Sequence, residues 1–90
     1  MRRIFKYKLK LTDLQFIDMP EDAAVLSVGV QEGNICLWVL VEDAGPLRSR
    51  AVQIIGTGNP IAASPAGRFV GRVETHGGAL VWHVFAESRQ

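Results

Sequence analysis

AVLSVGVQEGNICLWVLV, residues 24–41, contains the clearest β-hairpin pattern in the chain. Two apolar runs flank a polar turn at 31–34, and this arrangement predicts two antiparallel strands. In the first run Leu26, Val28 and Val30 alternate with other residues, so we expect them on one face. The second run is apolar on both faces, which predicts a central strand or one that is covered on its outer side.

The rest of the chain repeats this pattern of strands and turns. Five further strands are predicted, at 3–11, 15–19, 49–55, 68–74 and 79–86. No segment of about ten residues shows a clean helical repeat of apolar positions, although a short helix inside 12–18 or 60–66 stays open. We predict one all-β domain over residues 1–90, a small antiparallel sandwich or barrel of about six to seven strands with little or no helix.

Composition sets the class of protein. Ninety residues fill one core, and a hydrophobic content of 48% argues against disorder. Cys36 is the single cysteine, so no internal disulfide can form. There is no signal-peptide pattern and no apolar run of about 18 residues, so we expect a cytoplasmic protein with no membrane partner.

A glycine turn follows the predicted strand 49–55. It reads Gly56-Thr57-Gly58-Asn59 and is closed by Pro60. Two glycines so close together suggest positive φ or a close approach, and successive N–H groups in such a turn can hold a phosphate or carboxylate. The spacing and the lysine of a P-loop are missing. A ligand or subunit contact and a plain turn remain the two alternatives.

Four arginines could complete an anion site at this turn. Arg48 and Arg50 are two residues apart on one strand and should share a face. Arg68 and Arg72 are four residues apart and should share one likewise. If their strands are neighbours, the cluster stands close to the turn, and a guanidinium fork suits phosphate. The alternative is solvated charge, partly paired with acidic side chains. The predicted ligand-binding residues are Gly56, Thr57, Gly58, Asn59, Arg48, Arg50 and Arg72; the alternative acidic partners are Glu42, Asp43 and Glu74.

A second basic group lies on the first predicted strand. Lys6, Lys8 and Lys10 alternate with apolar residues and form a face for an anionic partner. The alternative is an edge strand that lysines protect against aggregation. No aromatic residue lies between the lysines on that face, so nucleic acid is not favoured as the partner.

Catalysis and metal binding find no support in the sequence. His83 shares a face with Val81 and Phe85, and His76 lies in a turn. With Cys36 they would make three ligands without a zinc-site spacing, and the apolar surroundings of Cys36 do not suit a nucleophile. We therefore predict a non-enzymatic protein with no catalytic residue, no metal and no cofactor.

Two strands that are apolar on both faces exceed the needs of one small core. The run 35–41 is one of them. The last strand is the other, because Trp82 shares a face with Leu80 and Val84 opposite His83. The surplus predicts a homo-oligomer that buries one face between subunits.

The chain resembles a family of small uncharacterised proteins encoded by tailed bacteriophages and prophages. The resemblance spans almost the whole chain. It rests on residues 5–9 (FKYKL), 17–20 (IDMP), 26–28 (LSV), Gln31, 37–38 (LW), 56–60 (GTGNP), Gly71 and 76–85 (HGGALVWHVF). Such sequences often have His-Pro where this chain has Asn59-Pro60, so no histidine-dependent role is expected there.

The resemblance implies expression inside an infected bacterium and a host-directed role. We expect a counter-defence protein that binds an anionic small ligand such as a nucleotide signal. The alternatives are a protein-interaction module that inhibits or caps a host or phage protein, and a minor virion or nucleic-acid-associated protein.

Overall fold

The computed structural model describes residues 1–42, 45–61, 65 and 67–88. Asp43, one of the acidic partners considered above, and most of the segment 60–66 lie outside the described residues. The seven strands are β1 Arg3–Lys8, β2 Leu14–Pro20, β3 Ala24–Gln31, β4 Asn34–Val41, β5 Leu47–Gly56, β6 Arg68–Thr75 and β7 Leu80–Ala86. A single 3₁₀ turn, His76–Gly78, joins β6 to β7. The all-β prediction is confirmed.

The strands form two antiparallel sheets and do not close into a barrel. The three-stranded sheet has the order β1-β4-β3, and the four-stranded sheet has the order β2-β5-β7-β6. The central position predicted for 35–41 is confirmed, since β4 pairs with β1 on one side and β3 on the other. Its outer-face side chains are not fully open to solvent either, since Cys36 is buried and Trp38 and Leu40 are half-buried.

One hydrophobic core joins the two sheets. Leu37 and Val39 of β4 are fully buried together with Val52 of β5 and Val84 of β7, and these residues belong to one cluster. Burial of each such side chain contributes about 1.5–3 kcal/mol. Cys36 is buried and free. The core holds the inner faces of both sheets together, so positions on the outer faces and at strand ends are left to form sites.

A β-bulge in β3 changes which side chains reach the core. The register against β4 shifts between Val25 and Ser27, so Leu26 is an extra residue. Val25 is 5% exposed whereas Leu26 is 49% exposed. The prediction that Leu26 shares a face with Val28 and Val30 is therefore wrong, because one inserted residue reverses the alternation.

A second bulge separates two of the arginines. The register of β6 against β7 shifts between Phe69 and Gly71, which places Arg68 opposite Ala86 and Arg72 opposite His83. Ala86 and His83 are three residues apart on one strand and point to opposite faces. The prediction that Arg68 and Arg72 share a face is wrong for the same reason as in β3.

The first strand is shorter than the alternating pattern predicted. β1 ends at Lys8, and the amide of Gln15 bonds both backbone groups of Lys10, accepting from its N–H at 3.0 Å and donating to its carbonyl at 2.7 Å. Lys10 therefore lies in the connection between β1 and β2 instead of in a strand. β1 is an edge strand of its sheet.

Candidate functional site

The glycine turn forms at the end of β5, and its two glycines are needed for different reasons. Gly58 has φ +89°, a conformation that L side chains rarely adopt. Gly56 is needed for space, because a Cβ there would lie 2.9 Å from Nδ2 of Asn59 and 3.2 Å from the Trp82 ring. Positive φ and close approach were predicted as alternatives, and each glycine meets one of them.

The backbone of this turn is mostly satisfied internally. The N–H of Thr57 donates to the carbonyl of Val81 at 3.1 Å, and the N–H of Asn59 donates to the carbonyl of Gly56 at 3.0 Å. An anion nest requires several successive N–H groups that point outward. Of the three at 57–59, two are already engaged, so the turn is a poor anion nest.

The pocket beside the turn is apolar. It has a volume of about 250 Å³. Its side walls include the edge-to-face pair Phe69 and Phe85, whose ring centroids are 5.5 Å apart. The hydroxyl of Thr57 lies 2.9 Å from Nε2 of His83 at the edge of this pocket. A small apolar pocket with one hydroxyl–imidazole pair suits an uncharged ring better than a phosphate.

A hydroxyl next to an imidazole is also the first part of a nucleophilic pair. Such a pair needs a third group that orients the second ring nitrogen, and donors that stabilise an oxyanion. Within the described part of the chain, Thr57 is the hydrogen-bond partner of His83, and no contact orients its Nδ1. Thr57 Oγ1 also lies 3.4 Å from the carbonyl of Val81. The pair therefore fixes the turn against β7 and has no catalytic support.

Arg72 lies at the end of the sheet near the glycine turn, but its guanidinium is already paired with a carboxylate. It is opposite His83 on β6, and its Nη1 lies 3.3 Å from Oε2 of Glu74 in an exposed salt bridge. Pairing with Glu74 was one of the alternatives in the sequence, and it is confirmed. Such an exposed pair contributes little stability.

The other arginines gather at the opposite end of the four-stranded sheet. β7 ends at Ala86, opposite Val52, while β5 begins five residues earlier at Leu47. Beyond Ala86 the space between β5 and the start of β6 is an open cleft of about 580 Å³. The residues that define this arginine cleft are Arg48, Ser49, Arg50, Arg68, Glu87 and Ser88.

Arg50 is the unusual residue of the arginine cleft. It is 8% exposed, and its Nη2 donates to the carbonyl of Glu21 at 2.5 Å. Its Nε is buried and has no hydrogen-bond partner within the described residues. Buried arginine is normally paired with a carboxylate, and none of the described carboxylates forms a salt bridge with Arg50. Within the described ranges, no charged group balances this buried cation.

The remaining groups of the cleft hold its shape. The N–H of Ala51 donates to Oε1 of Glu87 at 2.7 Å. Arg68 Nη2 donates to the carbonyl of Val25 at 3.3 Å, and the N–H of Val25 donates to Oγ of Ser88 at 2.8 Å. Val25 lies at the bulged outer edge of β3, so these contacts cover an open sheet edge and connect the cleft to the other sheet.

The predicted ligand-binding residues therefore belong to two separate places. Arg48 and Gly56 are eight residues apart on β5, which corresponds to about 26 Å at ~3.3 Å per residue. Arg48 and Arg50 share a face, as predicted, and line the same cleft. Gly56, Thr57, Gly58 and Asn59 line the apolar pocket at the other end. Arg72 is paired with His83, on the opposite face from Arg68 and farther from the end of β7, so it lies outside the cleft.

Lys6 and Lys8 share one face of β1, as predicted, but Lys10 does not belong to it. Lys6 Nζ donates to Oε1 of Gln31 at 2.5 Å, so its side chain reaches from β1 across β4 to β3. Lys8 lies opposite Cys36. Lys10 lies beyond the strand. The edge-strand alternative is the one that the topology supports.

Sequence reasoning missed Ser49, Glu87 and Ser88 as site residues, and it considered Arg68 only as a member of an arginine cluster near the glycine turn. The even spacing of Arg68 and Arg72 predicted that they share a face, and no residue pattern indicated where β7 would end. Among the described residues no group of three His, Cys, Asp or Glu side chains is placed to hold a metal ion. No helix within the described ranges is long and apolar enough to cross a membrane.

Two antiparallel sheets around a shared core, with a basic cleft at one end, define a small all-β domain. The chain belongs to the family described as a domain of unknown function (DUF7352), whose model matches residues 1–90. Neither the curated proteins nor the solved structures contain a match to the chain.

Proposed function

We propose that this domain is a non-enzymatic protein that binds a small anionic ligand in the arginine cleft. The observation that carries the proposal is Arg50, a cation that is buried in the cleft and has no carboxylate partner among the described residues. Removing a charge from water costs several kcal/mol unless a balancing group compensates for it. An anion in the cleft supplies that balance.

Arg48 and Arg68 strengthen the attraction. Both are exposed side chains on the walls of the same cleft, and neither forms a salt bridge with a described residue. Guanidinium groups bind phosphate and carboxylate through pairs of parallel hydrogen bonds. Because the Nε of Arg50 is itself enclosed, the ligand meets the outer part of that guanidinium and the two exposed arginines.

Calorimetric titration tests the proposal directly. We expect at least one member of a panel of inorganic phosphate, pyrophosphate and linear and cyclic nucleotides to bind with micromolar affinity at physiological salt. Arg48→Gln and Arg68→Gln should each weaken binding by about tenfold, since a hydrogen bond to a charged group contributes about 1.5–3 kcal/mol. Arg3→Gln, on the exposed edge of β1, is the matched control and should bind as the wild type does.

Arg72→Gln separates this cleft from the glycine-turn pocket. Arg72 lies outside the cleft, so its loss should leave binding unchanged. Binding that depends on Arg72 but not on Arg48 would move the site to the turn, and no binding across the panel would contradict the function.

The resemblance to phage and prophage proteins supports a host-directed setting for this binding. In that setting the chain works in the cytoplasm of an infected bacterium and sequesters a nucleotide signal that the host uses in defence. Addition of the purified chain to an extract of infected cells should lower the free concentration of one nucleotide. An unchanged nucleotide profile argues against this role.

A second candidate function, self-association, rests on the outer face of the four-stranded sheet. Leu14, Gln53, Phe85 and Phe69 lie in one row across all four strands. Nearby Phe16 is 66% exposed. Apolar side chains on an outer face favour association, and a twofold dimer would bury two copies of the same patch.

Sedimentation velocity tests self-association. We expect a dimer that shifts toward monomer in Phe16→Ser, because the substitution removes a largely exposed aromatic side chain from the contact. Ile4→Ser changes an equally exposed apolar residue on the other sheet and should not alter the dimer. A wild type that stays monomeric at high micromolar concentration contradicts this candidate.

A further inference from the structure

We infer that the arginine cleft selects a terminal phosphate, a phosphomonoester dianion, over a phosphodiester or a carboxylate. The inference rests on the proposed anion-binding function and names the chemical group that the same cleft takes. It follows from the charge balance of the cleft and from the backbone N–H of Ser49, which lies beyond the last β5–β7 pair.

The charge of the cleft matches two negative charges. Three guanidinium groups, from Arg48, Arg50 and Arg68, stand against Glu87, which is the single carboxylate among the described lining residues. Among the described lining residues, three positive charges and one negative charge leave a net charge of +2. A phosphomonoester carries about −1.5 to −2 at pH 7, whereas a phosphodiester or a carboxylate carries about −1. The dianion therefore neutralises the cleft and the monoanions do not.

Glu87 does not form a salt bridge with an arginine of the cleft, so it does not reduce this preference in that way. Its Oε1 accepts the N–H of Ala51 at 2.7 Å, and neither Arg48 nor Arg68 forms a salt bridge with it. This hydrogen bond holds the carboxylate on the backbone of β5, at the side of the cleft next to Ala51. The carboxylate repels a second negative group there, so the ligand enters with its phosphate at the arginine side.

The backbone of β5 adds a donor beside the arginines. The N–H of Ala51 donates to Oε1 of Glu87, and the N–H of Glu87 donates to the carbonyl of Ala51. Both groups of Ala51 therefore point to the side of β5 that faces β7. Backbone orientation repeats every second residue, so the N–H of Ser49 also points to that side. Ser49 lies beyond the last β5–β7 pair and lines the cleft. A phosphomonoester has three terminal oxygens that can accept from these donors, whereas a phosphodiester has two.

The inference predicts a preference that small probes can measure without a nucleoside. Titration of the ¹⁵N-labelled protein with methyl phosphate and with dimethyl phosphate, at pH 7.5 and matched ionic strength, reports both affinities through amide shifts. Methyl phosphate is a dianion at this pH because its second pKa is near 6. We expect it to bind at least tenfold more tightly than dimethyl phosphate, with the largest shifts at Ser49 and its neighbours in the cleft.

Variants show whether charge causes the preference. Arg68→Gln should lower the preference for methyl phosphate severalfold, since the net charge of the cleft falls to +1, while Arg3→Gln should leave it unchanged. Equal affinity for the two probes, with shifts at the cleft, overturns the selectivity for a terminal phosphate and leaves anion binding intact. Absence of shifts at the cleft with both probes, and with acetate, overturns both the selectivity and the proposed function.

Discussion

Gly67→Ala is expected to lower the free energy of unfolding by about 3 kcal/mol or more. Gly67 has φ +68°, a conformation that costs an L residue about 1–2 kcal/mol. A Cβ at this position would also overlap the carbonyl oxygen of Ala86 and the backbone nitrogen of Glu87. Both are backbone atoms that cannot move aside as a flexible side chain would. The chain must therefore shift where β6 begins and β7 ends.

Thermal unfolding measures this effect and separates its two causes. The expected loss corresponds to a fall in Tm of about 12–24 °C, at about 4–8 °C per kcal/mol for a domain of this size. Gly58→Ala adds a side chain at φ +89° with nothing within 4 Å, so it carries the conformational cost alone. Gly45→Ala has neither problem and should be nearly neutral. Equal Tm values for the Gly67 and Gly58 variants would refute the overlap.

The same variant links the stability of the fold to the site. Gly67 lies on the wall of the arginine cleft, and the close approach of its backbone to Ala86 and Glu87 holds the two sides of the cleft together. A variant that folds at low temperature should therefore also bind anions more weakly than Gly58→Ala does. The cleft depends on a backbone contact as well as on its charged side chains.

Local patterns in the sequence predicted the strands well. Alternation and turn residues placed all seven strands, and the two-sided apolar run at 35–41 identified the central β4. These features depend on neighbours within a few residues, where periodicity and turn chemistry act directly. The fold class follows from them because apolar strands of this length must pair and bury a face.

The bulges could not be predicted from the same patterns. Leu26 and Val70 sit where the registers of β3 and β6 shift, yet each is an ordinary apolar residue in an alternating run. One inserted residue reverses the faces of everything that follows it. This is why Arg68 faces the cleft while Arg72 faces away from it. The contacts that accommodate a bulge come from distant strands, so no local signal marks it.

The position of the site required the strand order. The two-residue spacing of Arg48 and Arg50 correctly predicted that they share a face. Their distance from the glycine turn, however, depends on the direction and length of β5. Their proximity to Arg68 depends on β7 ending early between two longer neighbours. Glycines in a turn were the most visible local feature, whereas the buried charge became visible only when the sheets were assembled.

Arg50 conflicts with the interior in which it lies. Its position on the inner face of β5, in line with the fully buried Val52 and Ile54, is one that an apolar side chain would fill. A buried cation with one hydrogen bond reduces stability unless something compensates for it. Natural proteins break such local rules mainly at functional sites. The position therefore offers a test in which binding should fall while stability does not.

Arg50→Met is expected to abolish most anion binding without loss of stability. Methionine fills a similar elongated space and removes the desolvated charge, so the free energy of unfolding should stay within about 1 kcal/mol of the wild type or rise. Glu21 is an exposed residue, so the carbonyl that loses its donor can bond to water instead. Affinity for the anion should fall by about 100-fold, because a charge-assisted hydrogen bond in a desolvated site is lost.

Denaturant unfolding and calorimetric titration of the same preparation measure the two effects. Arg50→Lys is the matched control: it keeps the charge but not the guanidinium fork, so binding should fall by less than in Arg50→Met while the buried charge still reduces stability. A large loss of stability in Arg50→Met would mean that Arg50 supports the fold through its bond to Glu21. Unchanged affinity in that variant would place the anion site elsewhere. Only a stable variant with weakened binding identifies Arg50 as a charge that the fold keeps for its ligand.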